Sequence, residues 1–134
     1  MRRVPASLAS SVRERSAHRC EYCRLPAMAT QTAFEVEHIV PVKHGGPTVL
    51  NNLAYACFHC NRHKGMSICG LHLSTGKIVR LFHPRKDKWR EHFKLTQGRL
   101  SVKTEVGRIT VRVLNMNKLE QVQLRRLWLG RFPP

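Results

Sequence analysis

The chain is short of acidic residues. It has eight Asp and Glu against 24 Lys and Arg in 134 residues, which gives a formal net charge of +16. Because such a surplus of positive charge attracts polyanions, we expect a polyanionic partner, with nucleic acid as the first candidate and an acidic membrane surface as the second. Two of the scarce acids, Glu35 and Glu37, nevertheless lie one residue apart, and Glu37 directly precedes His38. This placement calls for a chemical role.

Long apolar runs are also missing. No run approaches the ~18 residues that a membrane-spanning helix needs, and the N-terminal stretch MRRVPASLASSVRERSAHRC has no continuous apolar segment of signal-peptide length. We therefore expect a soluble, cytoplasmic protein with no membrane partner. In that reducing compartment, cysteines bind metal more often than they form disulfides. A chain of 134 residues suits one compact unit, so residues 1–134 are expected to form a single domain.

Four of the five cysteines form two CxxC pairs, Cys20 with Cys23 and Cys57 with Cys60. Each CxxC loop can present two thiolates to one tetrahedral ion, so two loops complete a zinc site of four cysteines. A redox pair or buried free thiols are the alternative, which two matched pairs in one small basic chain disfavour. Four thiolates leave no position open for a substrate, and the expected zinc is therefore structural. Cys69 lies outside the pairs and is expected to be a buried or idle thiol.

The hydrophobic pattern predicts short helices and strands along the whole chain. A helix is expected over residues 5–18, and FEVEHIV is suited to an extended segment that Pro41 ends. Leu53–Ala56 is a candidate second strand, and CFHCNRHKG is typical of a zinc knuckle that leads into a short helix stopped by Gly65. This core motif region covers about residues 19–66. The extension over about 67–134 is expected to contain a hairpin in LHLSTGKIVRLF, a helix opened by Pro84, a strand pair around KLTQGRLSV and two amphipathic helices after Glu105.

Four motifs between and beside the cysteine pairs carry a family resemblance. EHIVP, HGG, NNLAYAC and CNRHKG follow one another between Arg19 and Gly65, and with the two CxxC pairs they resemble the HNH nuclease motif of the ββα-metal (His-Me finger) fold. LFHPRKDKWREHF and VGRITVRVLNMN are similar to the region that follows this motif in small stand-alone bacterial HNH proteins. The resemblance implies an α+β fold with a ββα-metal HNH core, a structural four-cysteine zinc site, and an additional hairpin and helices at the C-terminus.

The resemblance also implies roles for the motif residues. His38 would be the general base that takes a proton from the attacking water, and Glu37 and Asn61 would hold a catalytic divalent cation, Mg²⁺ or Mn²⁺. Asn52 resembles the middle motif residue, whose role is to fix the loop that carries the histidine. His63 is a further candidate ligand, and its imidazole would favour a transition metal such as Mn²⁺ or Ni²⁺ over Mg²⁺.

Two basic residues close behind Asn61 are candidate contacts to nucleic acid. Arg62 and Lys64 are suited to clamping phosphate, with a solvated basic face as the equal alternative. The implied function is a metal-dependent endonuclease that hydrolyses phosphodiester bonds of DNA, with double-stranded DNA as the expected partner. A non-catalytic, zinc-stabilised module that binds nucleic acid is the competing hypothesis, since it needs the same charge and the same cysteines. The pattern leaves open whether the protein is a monomer or a homodimer.

Overall fold

The computed structural model describes residues 4–131, in which helices and strands alternate in mixed order. The expected α+β class is confirmed. The elements are α1 (Ala6–Arg15), β1 (Glu35–His38), β2 (Leu53–Ala56), α2 (Phe58–Lys64), β3 (Cys69–Leu71), β4 (Ile78–Arg80), α3 (Trp89–His92), β5 (Phe93–Thr96), β6 (Arg99–Val102), α4 (Glu105–Val113) and α5 (Leu119–Leu129). None of the described helices is long and apolar enough to cross a membrane.

The hairpin of β1 and β2 lies at the centre of the core motif region. The two strands are antiparallel, in a register that pairs His38 with Leu53. Because side chains alternate between the faces of a strand, Glu35 and Glu37 share one face, yet Glu35 is exposed and Glu37 is buried. α1 contacts both strands, and its Val12 forms a small apolar cluster with Leu53. Leu53 and Tyr55 are buried in this cluster and Ala54 and Ala56 in the main core, so β2 is buried along its whole length. The paired strand β1 carries expected site residues at its end.

The helix α2 follows β2 after one residue, Cys57, which caps it. The Cys57 Sγ atom accepts a hydrogen bond from the backbone amide of Cys60 at 3.3 Å. The helix ends at Gly65, whose φ of +51° is one that residues with a Cβ rarely adopt. Successive side chains on a helix point about 100° apart. Neighbouring residues of α2, such as Cys60 and Asn61, therefore contact different parts of the molecule.

The extension contains two hairpins, β3–β4 and β5–β6, and three helices. α3 has four residues and is shorter than the helix expected from Pro84 onward. The residues before it form a turn, because the carboxylate of Asp87 accepts hydrogen bonds from the backbone amide of His83 at 2.9 Å and from the guanidinium of Arg80 at 2.6 and 3.0 Å. The turn ends at Lys88, whose backbone is extended (φ −96°, ψ 122°), so α3 begins only at Trp89.

One apolar core runs from the cysteine pairs into the extension. Its buried members from both regions include Tyr22, Leu25, Ala54, Phe82, Trp89, Phe93, Leu100, Ile109 and Met116. The indole N–H of Trp89 donates to the backbone carbonyl of Tyr22 at 2.8 Å, and the Trp89 ring centroid lies 5.2 Å from that of Phe93. The core motif region and the extension therefore share their apolar contacts.

Candidate functional site

The four cysteines of the CxxC pairs come together in one buried cluster. Their sulfur atoms all lie within 4.8 Å of one another, and each side chain is at most 1% exposed. Cys23 Sγ and Cys57 Sγ are 3.8 Å apart, which is close to the ~3.8 Å that separates two sulfurs of a tetrahedral zinc site with bonds of about 2.3 Å. The residues present therefore fit a structural zinc. Cys69 is exposed on β3 and lies outside this cluster.

The buried thiols of the cluster oppose one another's ionisation. Hydrogen bonds from Cys20, Cys57 and Cys60 hold the pKa of the Cys23 thiol well below its ordinary value. The same neighbours, Cys20 and Cys23 first, raise the pKa of Cys57 and of Cys60 well above theirs. The thiolate of Cys23 is thus stabilised by its neighbours, whereas ionisation of Cys57 and Cys60 beside it is opposed. A dication relieves this opposition, because it favours the charged form of every sulfur around it.

A second, open site lies at the end of β1. A cavity of about 660 Å³ is lined by Glu37 and His38 from β1 and by Asn61 and Arg62 from α2. The hairpin and the helix thus bring three of the expected site residues, His38, Glu37 and Asn61, to one cavity. Its volume is within the range of about 300–1,000 Å³ that is usual for ligand sites.

His38 is the last residue of β1 and is 8% exposed. Its Nε2 atom lies 2.8 Å from the hydroxyl oxygen of Thr48, in the loop that connects β1 to β2. A neutral imidazole carries one proton, so a ring that donates from Nε2 to this hydroxyl has its lone pair on Nδ1. Sequence reasoning missed Thr48, although its position just after HGGP places it in the loop that the motif requires.

Asn52 ties that loop together. Its Oδ1 accepts from the backbone amide of Val40 at 2.9 Å, and its Nδ2 donates to the carbonyls of Val40 at 3.0 Å and Pro47 at 2.9 Å. Gly46 lies against Val40 and Asn52, and a Cβ atom at Gly46 would be 1.7 Å from the Val40 carbonyl oxygen. The loop therefore closes only with glycine at this position, and Asn52 acts on His38 through the backbone.

Glu37 is 7% exposed, and both of its carboxylate oxygens have partners. Oε2 accepts from the hydroxyl of Tyr22 at 2.8 Å, and Oε1 forms an ion pair with Lys64 Nζ at 3.0 Å. Burial raises the pKa of Glu37, although Lys64 and Tyr22 both favour the charged carboxylate. Tyr22, whose role sequence reasoning missed, has a pKa raised well above its ordinary value by its own burial and by Glu37.

Lys64 has a different place from the phosphate contact expected of it. Its side chain is 2% exposed, and besides Glu37 its ammonium donates to the carbonyls of Ile39 at 2.9 Å and His38 at 3.4 Å. An ammonium with three acceptors in the interior has no donor left for the surface. Lys64 therefore holds the end of β1 against α2. The sequence did not predict this burial, because a Lys in a basic segment is usually at the surface.

The remaining expected residues lie on different sides of α2. Asn61 is partly exposed in the cavity, and its side chain has no hydrogen bond within residues 4–131. Arg62 is exposed, with its guanidinium 5.9 Å from the ring centroid of Phe58. The Nδ1–H of His63 donates to the carbonyl of His59 at 2.9 Å, and the centroids of the two rings are 4.2 Å apart. Two helical steps turn a side chain by about 200°, so His63 lies away from the Glu37 cavity.

The donors in the open cavity suit a hard divalent cation. Each oxygen of the Glu37 carboxylate has two lone-pair positions, of which one is used, and the amide oxygen of Asn61 is available. Carboxylate and amide oxygens are the ligands that Mg²⁺ and Mn²⁺ prefer. Glu37 and Asn61 therefore fit a cation of this class, whereas the four thiols of the CxxC pairs belong to the closed cluster.

Comparisons with known proteins agree with this arrangement. Residues 20–67 match the family model described as HNH endonuclease, which confirms the resemblance inferred from the motifs. The Septu protein PtuB of Bacillus thuringiensis is 29% identical over 119 residues, which are 87% of this chain and 44% of that protein. The chain thus spans less than half the length of this relative. No solved structure matches. A domain of the HNH family indicates a nuclease-type function on a nucleic acid.

Proposed function

We propose that this chain, with its HNH domain over residues 20–67, is a metal-dependent endonuclease that hydrolyses phosphodiester bonds of DNA. The observation that carries the proposal is the meeting of His38, Glu37 and Asn61 at one cavity of about 660 Å³. A non-catalytic module would need the charge and the cysteines but not this convergence. The exposed Arg62 at the rim supplies a contact for the phosphate, and double-stranded DNA is the proposed substrate.

His38 acts as the general base. Its ring takes a proton from the attacking water, and the Thr48 hydroxyl, 2.8 Å from Nε2, holds the ring in orientation. Positioned bases of this kind contribute about 10²–10⁴-fold to a rate. Asn52 and Lys64 keep the loop and the strand end at a fixed distance from Asn61. A divalent cation held by Glu37 and Asn61 would neutralise the charge that develops on the phosphate and the departing oxygen.

The proposal is tested with purified wild type and His38→Ala, both verified for zinc content, on supercoiled plasmid with Mg²⁺ or Mn²⁺ and with EDTA as the metal-free control. We expect wild type to produce open circles or linear DNA and His38→Ala to be slower by about 10²–10⁴-fold. His44→Ala is the matched control, because His44 is an exposed histidine of the same loop. Tight, salt-sensitive DNA binding without cleavage by wild type would support the non-catalytic module, and equal cleavage by both proteins would remove His38 as the base.

The whole chain is proposed to act as one domain in a reducing, cytoplasmic setting. Support for one domain comes from the shared core, in which Trp89 of the extension donates to the Tyr22 carbonyl. Support for the reducing setting comes from the four clustered thiols, which bind metal only when they are not oxidised. Limited proteolysis of the zinc-loaded protein is expected to leave residues 20–67 and the extension in one resistant fragment. Early release of a stable fragment ending near Met66 would indicate two units.

A further inference from the structure

A second cavity of about 440 Å³ lies beside the Glu37 cavity, around the exposed side of α2. Phe58, His59 and His63 line it from α2, Thr32 from the segment before β1, and Lys118 from the start of α5. Arg62 lines both cavities. Because Phe58 and Asn61 are three residues apart on a helix, their side chains diverge by only about 60°. A strand with its phosphate in the first cavity therefore passes the mouth of the second.

The walls of the second cavity carry flat side chains. Phe58 is 44% exposed although it is a large apolar residue, and Arg62 lies over its ring. The ring centroids of His59 and His63 are 4.2 Å apart, and the two rings are tilted by 35° to each other. Single exposed apolar residues are common and need no explanation. Proteins stack unpaired bases on exposed aromatic rings and guanidinium groups, and this concave site has a phenyl ring, a guanidinium and two neighbouring imidazoles.

The charge of the cavity suits a nucleotide. Its lining contains Arg62 and Lys118 and no Asp or Glu. The Nε2–H of His59 donates to the carbonyl of Asn115 at 2.7 Å, which fixes this ring in the wall of the cavity. The two cations at the rim are left to contact phosphates on either side of a bound base.

We propose that this cavity takes up one unpaired base of the strand that is cut, next to the scissile phosphate, and stacks it on Phe58. A base within a duplex is already stacked on both faces and cannot enter, so the cavity selects DNA with a bulge, gap or opened segment. The proposal rests on the nuclease function proposed above and names its substrate class. It also gives α5 a function, since Lys118 at its start forms one wall.

The test uses the full-length, zinc-loaded protein with His38→Ala to prevent cleavage. Two 20-base-pair duplexes are compared by titration, one with a single unpaired 2-aminopurine as a bulge and one fully paired with 2-aminopurine at the same place. We expect the bulged duplex to bind more tightly and its fluorescence to be quenched by stacking. Phe58→Leu in the same background should weaken binding of the bulged duplex by about 5- to 150-fold, the range for loss of one base–aromatic stack, and should abolish the quenching.

The controls separate stacking from other effects. Phe58→Trp should retain both affinity and quenching, and Leu73→Ala, which alters an exposed apolar residue of the β3–β4 turn, should change neither. Equal weakening of the two duplexes by Phe58→Leu, or an unchanged fluorescence, would overturn the proposal. Cleavage of both duplexes by wild type is scored separately. Cleavage without preference for the bulge would refute the base cavity alone, and preferential, quenched binding without any cleavage would refute the nuclease and leave a base-binding site.

Discussion

Cys60 and Asn61 are consecutive residues of one helix, and they belong to two opposite kinds of site. The thiol of Cys60 completes a cluster whose four sulfurs are buried, whereas the amide of Asn61 faces an open cavity of about 660 Å³. Soft ligands with no free position stabilise a fold, and hard ligands beside open space leave coordination places for a substrate. A helix of seven residues thus separates the buried sulfur cluster from the proposed reaction site by a rotation of about 100°.

The comparison predicts that substitutions at the closed cluster act on folding and those in the open cavity act mainly on the reaction. Lys64 is the exception that the structure adds, because it lines neither site and yet contacts the carboxylate of Glu37 from within the interior. Its removal should therefore affect the fold in the way a cluster residue does, though less. Four substitutions test this division, and they are given in order of decreasing expected effect.

The largest effect is expected for Cys57→Ala. Metal binding to structural zinc sites has an apparent free energy of about 10–16 kcal/mol in small domains, and a domain of this size has about 5–15 kcal/mol of stability in total. The variant should lose its zinc and its cooperative thermal unfolding, as measured by metal analysis and circular dichroism. Cys69→Ala is the control, since Cys69 is exposed and outside the cluster. A Cys57→Ala protein that melts as wild type does would refute a structural role for the cluster.

Lys64→Met should come next. Breaking a buried ion pair leaves the partner charge uncompensated and costs about 3–5 kcal/mol, here at the carboxylate of Glu37. Urea denaturation should report this loss in the free energy of unfolding. The double variant Glu37→Gln with Lys64→Met should recover much of it, because a neutral amide does not need the cation. A loss below about 1 kcal/mol for Lys64→Met, typical of exposed ion pairs, would indicate that Lys64 is at the surface.

Thr48→Val is expected to act on the reaction alone. It keeps the shape of the side chain and removes the hydroxyl that lies 2.8 Å from His38 Nε2. Loss of one hydrogen bond of about 1.4 kcal/mol from the oriented base corresponds to a tenfold lower kcat. The melting temperature and the KM for DNA should change little. Thr96→Val, on an exposed position of β5, controls for the substitution itself. A fall in KM without a change in kcat would contradict the orienting role.

The smallest effect concerns His59 and pH. Burial lowers the pKa of His59 in the folded protein, so between that lowered value and the ordinary value of about 6.5 the unfolded chain binds more protons than the folded one. Stability therefore falls as the pH drops below about 6.5. His59→Gln should flatten this part of the curve of melting temperature against pH, with His44→Gln as the exposed control. A curve that is steeper in the variant would show that His59 is favoured in its charged form.

The local elements of the core motif region were predictable from the sequence. Leu53–Ala56 was expected as a strand because four apolar residues lie between a polar loop and a cysteine pair, and it has those bounds. The fourfold sulfur cluster followed from the spacing of the CxxC pairs alone. The strand is encoded in neighbouring residues. The cluster joins pairs that are 34 residues apart at Cys23 and Cys57, and it was predictable because one tetrahedral ion needs the thiolates of two CxxC loops.

The rest depended on contacts between distant residues. Lys64 lies in a basic segment, and only the fold shows that it meets Glu37, which is 27 positions earlier. The helix expected from Pro84 begins only at Trp89, because Lys88 is extended. The preceding Asp87 pairs with Arg80 of β4, a contact that helix propensity does not include. The contact of Thr48 with His38 was likewise not predictable, since a loop residue belongs to no periodic pattern. Such pairings are tertiary and override local preference.

The hydrogen bond from Trp89 to the backbone of Tyr22 has a consequence for protein engineering. Tyr22 lies within the 48-residue stretch that the HNH family model matches, and Trp89 lies outside it. Transplanting residues 20–67 onto another scaffold would remove the indole donor from the Tyr22 carbonyl and the Trp89 ring from the apolar core. A recipient scaffold must therefore supply a donor and an apolar surface at that place.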